Sequence, residues 1–210
     1  MKDILKLMIS LGLVCAIGCA ALVFVNERTK APREAVELAV LNDNLKLAVP
    51  TGLACEFDAA RRLDFDKVTF HRAYHDGKLV ALVAQTRGHG FGGRIYSLVG
   101  MDPASGAITR VLVTGHAETP GLGTQATDRK EQKSLWKASA LQPGEVPPNA
   151  FLDRFTGKSG EASYVLGKPE PDKPGIIEGV SGATYSSKGV LQGVNRACKV
   201  FREHRAELLN

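Results

Sequence analysis

From Leu7 to Val25 the chain carries no charge, and Ile4 and Leu5 extend the apolar run towards the N-terminus. About 20 helical residues rise about 30 Å, the thickness of a bilayer's hydrocarbon core. The pattern predicts an uncleaved membrane anchor. A cleaved signal peptide would carry a shorter apolar region followed by an A-x-A-like site. Here charge follows at once, in N-E-R-T-K. A lipidated cysteine at A-I-G-C (16–19) fits less well, because apolar residues continue past Cys19. Lys2 and Lys6 flank one end, and Arg28, Lys30 and Arg33 the other, so the positive-inside rule does not decide the orientation.

Beyond Pro32 the apolar spacing becomes helical, with Ala35, Leu38, Leu41 and Leu45 close to one stripe, and Pro50-Thr51-Gly52 is expected to end that helix. Two-residue alternation then takes over. Val68–Tyr74 and Leu79–Thr86 read as a hairpin turning at Asp76-Gly77. A second pair, 94–101 and 107–114, turns through D-P-A-S-G, and the glycine-rich stretch G-H-G-F-G-G (88–93) links the two. A polar helix is expected from about Thr124 to Ala138, with loops at 141–149 and 168–175 and a short strand at 163–166. Val190, Leu191, Val194, Ala197 and Phe201 form one apolar stripe on a last helix that begins near Thr184. The sum is an α+β chain: one N-terminal transmembrane helix (1–27), a helical linker (28–52) and a mixed sheet-plus-helices domain (53–210).

Composition changes this picture little. The 210 residues carry a formal charge of +5. Lys and Arg are interspersed with acids, as in R-K-E-Q-K and F-R-E-H-R, which points to a solvated surface and away from nucleic acid. Of four cysteines, Cys15 and Cys19 lie in the apolar run, while Cys55 and Cys198 could pair or remain separate thiols. There is no C-x-x-C, and His116 with Glu118 supplies only two candidate ligands, so no metal site is expected.

The chemistry concentrates at G-V-S-G-A-T-Y-S-S-K-G-V, residues 179–190, just where the last helix should start. A helix N-terminus presents unpaired N–H groups and the positive end of the dipole, a natural site for phosphate. Ser181, Thr184, Ser186 and Ser187 add hydroxyls, and Gly179 and Gly182 allow close approach. The same residues also make ordinary N-caps, and local chemistry leaves both readings open.

Four stretches carry a family resemblance. S-G-A-T (181–184) resembles the flavinylation motif of FMN-binding domains. G-H-A-E-T-P-G-L-G (115–123) is similar to the H-x-E-T-P-G-x-G stretch of the G subunit of the Rnf (Rsx) electron-transport complex and of the C subunit of the Na⁺-translocating NADH:quinone reductase. F-G-G-R-I-Y-S-L-V-G-M-D (91–102) is similar to the strand that leads into it, and F-L-D-R-F-T-G-K (151–158) to an aromatic-x-x-x-F-x-G-K stretch. The likeness covers roughly residues 85–205, and the short chain looks more like the Rnf G subunit. Two positions depart from the family pattern: Glu178 stands where Asp is frequent, and Phe151 where Trp is usual.

The resemblance implies a covalent FMN, joined by a phosphoester to Thr184 and delivered from FAD by a flavin transferase. Ser181, Gly182 and Ala183 complete the motif, and Glu118, Thr119, Leu122 and Gly123 would line the isoalloxazine pocket. Without the resemblance, Pro120-Gly121 simply builds a turn and leaves Glu118 solvated. The resemblance further implies a single-pass subunit of the inner (cytoplasmic) membrane, in contact with lipid and with other Rnf-type subunits, its domain on the periplasmic side. Such a subunit would pass electrons within an ion-translocating ferredoxin:NAD⁺ oxidoreductase and would not be a complete enzyme. No catalytic residue is expected, and His116 should pack or orient its neighbours. The sequence offers no cysteine set for iron–sulfur clusters and no glycine fingerprint opening a helix for NAD. The alternatives are a membrane-anchored flavin sensor and a flavin-free assembly module.

Overall fold

The structure, a computed structural model, describes residues 2–49, 55–57, 62–129, 145–170 and 172–209. It divides into two compact units between Asn42 and Asp43. The described residues of the first unit all belong to the helix α1 (Lys2–Ala48). One window of this helix reaches a mean hydropathy of 2.6, long and apolar enough to cross a membrane. Large side chains of its apolar stretch, among them Leu11, Leu22 and Phe24, are exposed. Anchor and linker helix run together through Pro32. The proline removes one N–H from the ladder. Side chains brace this stretch: Thr29 Oγ1 donates to Val25 O at 2.8 Å, and Arg33 Nη2 donates to Thr29 Oγ1 at 2.9 Å.

The second unit is built on an antiparallel sheet. Its strands are β1 (Glu56–Phe57), β2 (Leu63–Phe65), β3 (Val68–His75), β4 (Lys78–His89), β5 (Arg94–Met101) and β6 (Ile108–Gly115), in the order β1-β3-β4-β5-β6 with β2 also paired to β3. Both predicted hairpins form. Asp76 and Gly77, with φ of 48° and 73°, make the tight turn that suits a two-residue hairpin. Among the described residues, parallel pairing is confined to a separate pair, β7 (Val165–Leu166) with β8 (Ile176–Ile177). The predicted helix from Thr124 is shorter than expected. It ends at Thr127, because Asp128 turns to extended backbone (φ −90°, ψ 133°); the rest of that expectation, 130–138, lies outside the described residues, as do 141–144 of the expected loop. This short helix is α2 (Thr124–Thr127).

The last helix, α3 (Thr184–Leu209), starts where the sequence places it. Its stripe of Val190, Leu191, Val194, Ala197, Cys198 and Phe201 is buried against Phe70, Leu82, Ala84, Val99 and Met101. The opposite face of the sheet is covered too. Leu45, Ala48 and Val49 are buried, and a Cβ on Gly100 would stand 2.3 Å from Ala48 O. Arg110 Nη1 donates to Leu47 O at 2.6 Å from the same face. The strands are therefore apolar on both sides, as Ala81–Ala84 in β4 shows.

Glycine sets how closely α3 crosses the sheet. A Cβ on Gly88 would stand 1.8 Å from Gly189 O, so helix backbone lies directly on strand backbone there. Thr86 Oγ1 donates to Gly193 O at 3.2 Å, and the His89 amide donates to Gln192 Oε1 at 3.0 Å. These contacts aim the first turn of α3 at the loop that joins β4 to β5.

Candidate functional site

Two turns of the same design meet at the start of α3. In one, the Leu122 amide donates to Thr119 O at 3.2 Å across Pro120-Gly121, and Gly121 takes φ 81°. In the other, the Ala183 amide donates to Val180 O at 3.0 Å across Ser181-Gly182, and Gly182 takes φ 77°. Positive φ at the third position is the mark of a type II turn, and glycine occupies it without strain. Between the turns opens a pocket of about 230 Å³. Glu118, Thr119, Leu122 and Gly123 line one side, Gly182, Ala183, Thr184, Tyr185 and Ser186 the other, and Phe91 the rim.

Glu118 joins the three segments that form this pocket. It is buried, 6% exposed, and its Oε1 accepts from the Gly92 amide at 3.0 Å while Oε2 accepts from the Ser186 hydroxyl. Glycines make room for the carboxylate: a Cβ on Gly90 would lie 2.3 Å from Oε1, and one on Gly123 2.5 Å from Oε2. His116 orients the same residue. Its Nδ1 accepts from the Glu118 amide at 3.1 Å, which leaves Nε2 to donate to Asp128 Oδ1 at 2.6 Å. Asn149, itself buried, ties α2 to the 3-10 turn Leu152–Phe155. Its Nδ2 donates to Gln125 O and Asp128 O, and its Oδ1 accepts from the Phe151 and Leu152 amides.

The hydroxyls at the helix start divide into two groups. Ser186 and Ser187 are buried, and Ser187 Oγ accepts from the Val180 amide at 3.1 Å. Ser186 holds Glu118 and Ser187 holds the turn, so these two hydroxyls serve the fold at the helix start. Ser181 and Thr184 are exposed. Thr184 is the first residue of a 26-residue helix, and the first hydrogen bond closing that helix runs from the Ser187 amide to Ala183 O at 2.9 Å. The amides of Thr184, Tyr185 and Ser186 precede that bond and have no intrahelical acceptor.

Of the S-G-A-T motif and the residues expected to line the isoalloxazine pocket, all but Ser181 line this pocket, and Ser181 sits in the adjoining turn. Sequence reasoning did not single out Phe91 and Tyr185, 75% and 66% exposed, with ring centroids 6.3 Å apart. An aromatic amid the glycines of 88–93 was the available signal. Lys188 Nζ stands 5.8 Å from the Tyr185 ring. The two departures lie elsewhere: Phe151 is buried edge-on to Phe155 at 5.6 Å, and Glu178 pairs with Arg154 at 2.8 Å.

A flat, partly apolar group with a phosphate tail fits this arrangement. Leu122 and the two rings offer apolar area, and the exposed Thr184 hydroxyl stands beside free helix amides.

Residues 90–199 match the family described as FMN-binding domain. The chain is 26% identical, over 95% of its length and 84% of the other's, to the G subunit of the ion-translocating oxidoreductase complex of Cereibacter sphaeroides. It is 25% identical, over 96% of this chain and 93% of the other, to the G subunit of the Na(+)-translocating ferredoxin:NAD(+) oxidoreductase complex of Acetobacterium woodii. Among solved structures, the C subunit of the Na(+)-translocating NADH-quinone reductase of Parabacteroides distasonis superposes over 68% of this chain and 63% of that one, at 20% identity and a TM-score of 0.47.

Proposed function

The chain belongs to the FMN-binding domain family, and on that premise we propose that it is the G-type subunit of an ion-translocating ferredoxin:NAD⁺ oxidoreductase complex, carrying electrons on FMN held by a phosphoester to Thr184. One observation carries the reading. The H-A-E-T-P-G-L-G loop and the S-G-A-T turn, some sixty residues apart in sequence, line one pocket whose rim presents the Thr184 hydroxyl. Relatives matched across most of this chain bear the names of such subunits.

The residues divide the work. Thr184 supplies the attachment oxygen, and the amides of the first turn of α3 face the phosphate's charge. Phe91, Leu122 and Tyr185 would offer the flavin ring apolar contact area. When bound, the flavin supplies the redox chemistry, accepting and releasing one or two electrons. The subunit is anchored by the apolar part of α1, with its domain on the extracytoplasmic side, and a flavin transferase loads it.

Co-expression with a flavin transferase tests this. The full chain is expected to give a fluorescent band on a denaturing gel, and Thr184→Val is expected to abolish the band with less than about 1 kcal/mol change in stability, since the side chain is exposed. Persistence of the label in Thr184→Val refutes the attachment site; an unlabelled wild-type chain refutes the flavin reading. Protease protection in sealed inverted vesicles tests the side: the domain is expected to be shielded.

A further inference from the structure

Glu118 raises a question that pocket lining alone does not answer. It is a carboxylate 6% exposed, and what holds it is neutral: the Gly92 amide at 3.0 Å and the Ser186 hydroxyl. Among the described residues no Lys, Arg or His forms an ion pair with it. The nearest histidine in sequence, His116, directs Nε2 away to Asp128 and contributes only its Nδ1 acceptor to the Glu118 amide. Lys188 lies over the Tyr185 ring, and Arg154 is committed to Glu178. Buried carboxylates without a cation are costly, and folds that keep them spend dipoles and space on them. This fold does both, through two hydrogen-bond donors and through glycines at 90 and 123 where any Cβ would collide with the carboxylate.

We propose that Glu118 is a redox-tuning residue: its uncompensated negative charge in the pocket wall makes it harder to add an electron to the group bound there. This rests on reading the pocket as a flavin site. Like charges repel more strongly behind protein than in water, so a fixed carboxylate beside the bound group disfavours the reduced, more negative form. No bond is made or broken at Glu118. The same carboxylate bridges the 90–93 and 184–186 segments, so its charge and its bridging role must be tested separately.

Glu118→Gln keeps the size and the acceptor for the Gly92 amide but removes the charge. In the full flavin-loaded chain, spectroelectrochemical titration is expected to show the flavin's first reduction favoured by tenfold or more over wild type, about 59 mV for one electron. Glu170→Gln, at a surface carboxylate paired with Lys173, is expected to leave the potential in place. Glu118→Ala is expected to lower the melting temperature of the unlabelled chain, since it orphans both donors. A loaded Glu118→Gln protein with the wild-type potential overturns the proposal. So does a Glu118→Gln protein that cannot be loaded, because the charge would then serve attachment. A wild-type chain without flavin is a different failure, that of the function itself.

Discussion

At the scale of single residues, the positions that matter are those where one atom too many would not fit. Gly90 and Gly123 exist for Glu118, and Gly121 and Gly182 for two backbone turns. Glycine at these places was legible as a pattern, but its reason was not, because one neighbour of Gly123, the Ser186 hydroxyl, is brought by the fold from a distant segment. Cysteine shows the same division. Whether Cys55 and Cys198 pair was open from sequence; both are free in the structure. Cys198 is buried on the inner face of α3, and loss of solvation pushes its thiol up to about 12. In a chain with Cys15, Cys19 and Cys55 changed to Ser, Cys198 is expected to resist a maleimide for hours in the native state and to react fully in denaturant. Fast native labelling would contradict its burial.

At the scale of elements, the decisive contact is the crossing of α3 over β4. Gly88→Ala would drive a methyl group into Gly189 O, which is backbone and cannot rotate away. The expected cost is about 2–3 kcal/mol with reduced flavin loading, read by thermal unfolding and in-gel fluorescence. A milder test concerns β3. Burial, outweighing the hydrogen bond to Gln85, holds the His71 imidazole below its ordinary range. The folded state therefore stays neutral at a pH where the unfolded chain already binds a proton at this residue, near its ordinary value of about 6.5. Stability is present above that value and is lost as pH falls below it. His71→Gln is expected to flatten the fall in melting temperature between pH 7 and pH 5. An unchanged slope would assign the acid sensitivity to other groups.

At the scale of the whole molecule, the compact sheet unit begins at Asp43 and takes in the end of α1. Leu45, Ala48 and Val49 cover one face of the sheet. A chain starting at Asp43 is expected to be soluble and cooperatively folded. One starting at Cys55 removes these side chains and the carbonyls of Leu47 and Val49 that hold Arg110, and is expected to lose roughly 4 kcal/mol or more. Equal urea midpoints for the two chains would show that the segment contributes nothing.

Sequence periodicity alone determined the apolar helix, both hairpins and the start of α3 at Thr184, because each rests on neighbours within a few residues. Local turn chemistry likewise placed Pro120-Gly121. Tertiary structure alone decided that Glu118 meets Ser186, that two of the four hydroxyls turn inward, that Phe91 and Tyr185 stand at one rim, and that α2 stops at Thr127. These depend on segments far apart in the chain, and which of them meet is settled by how closely a helix can lie on a sheet.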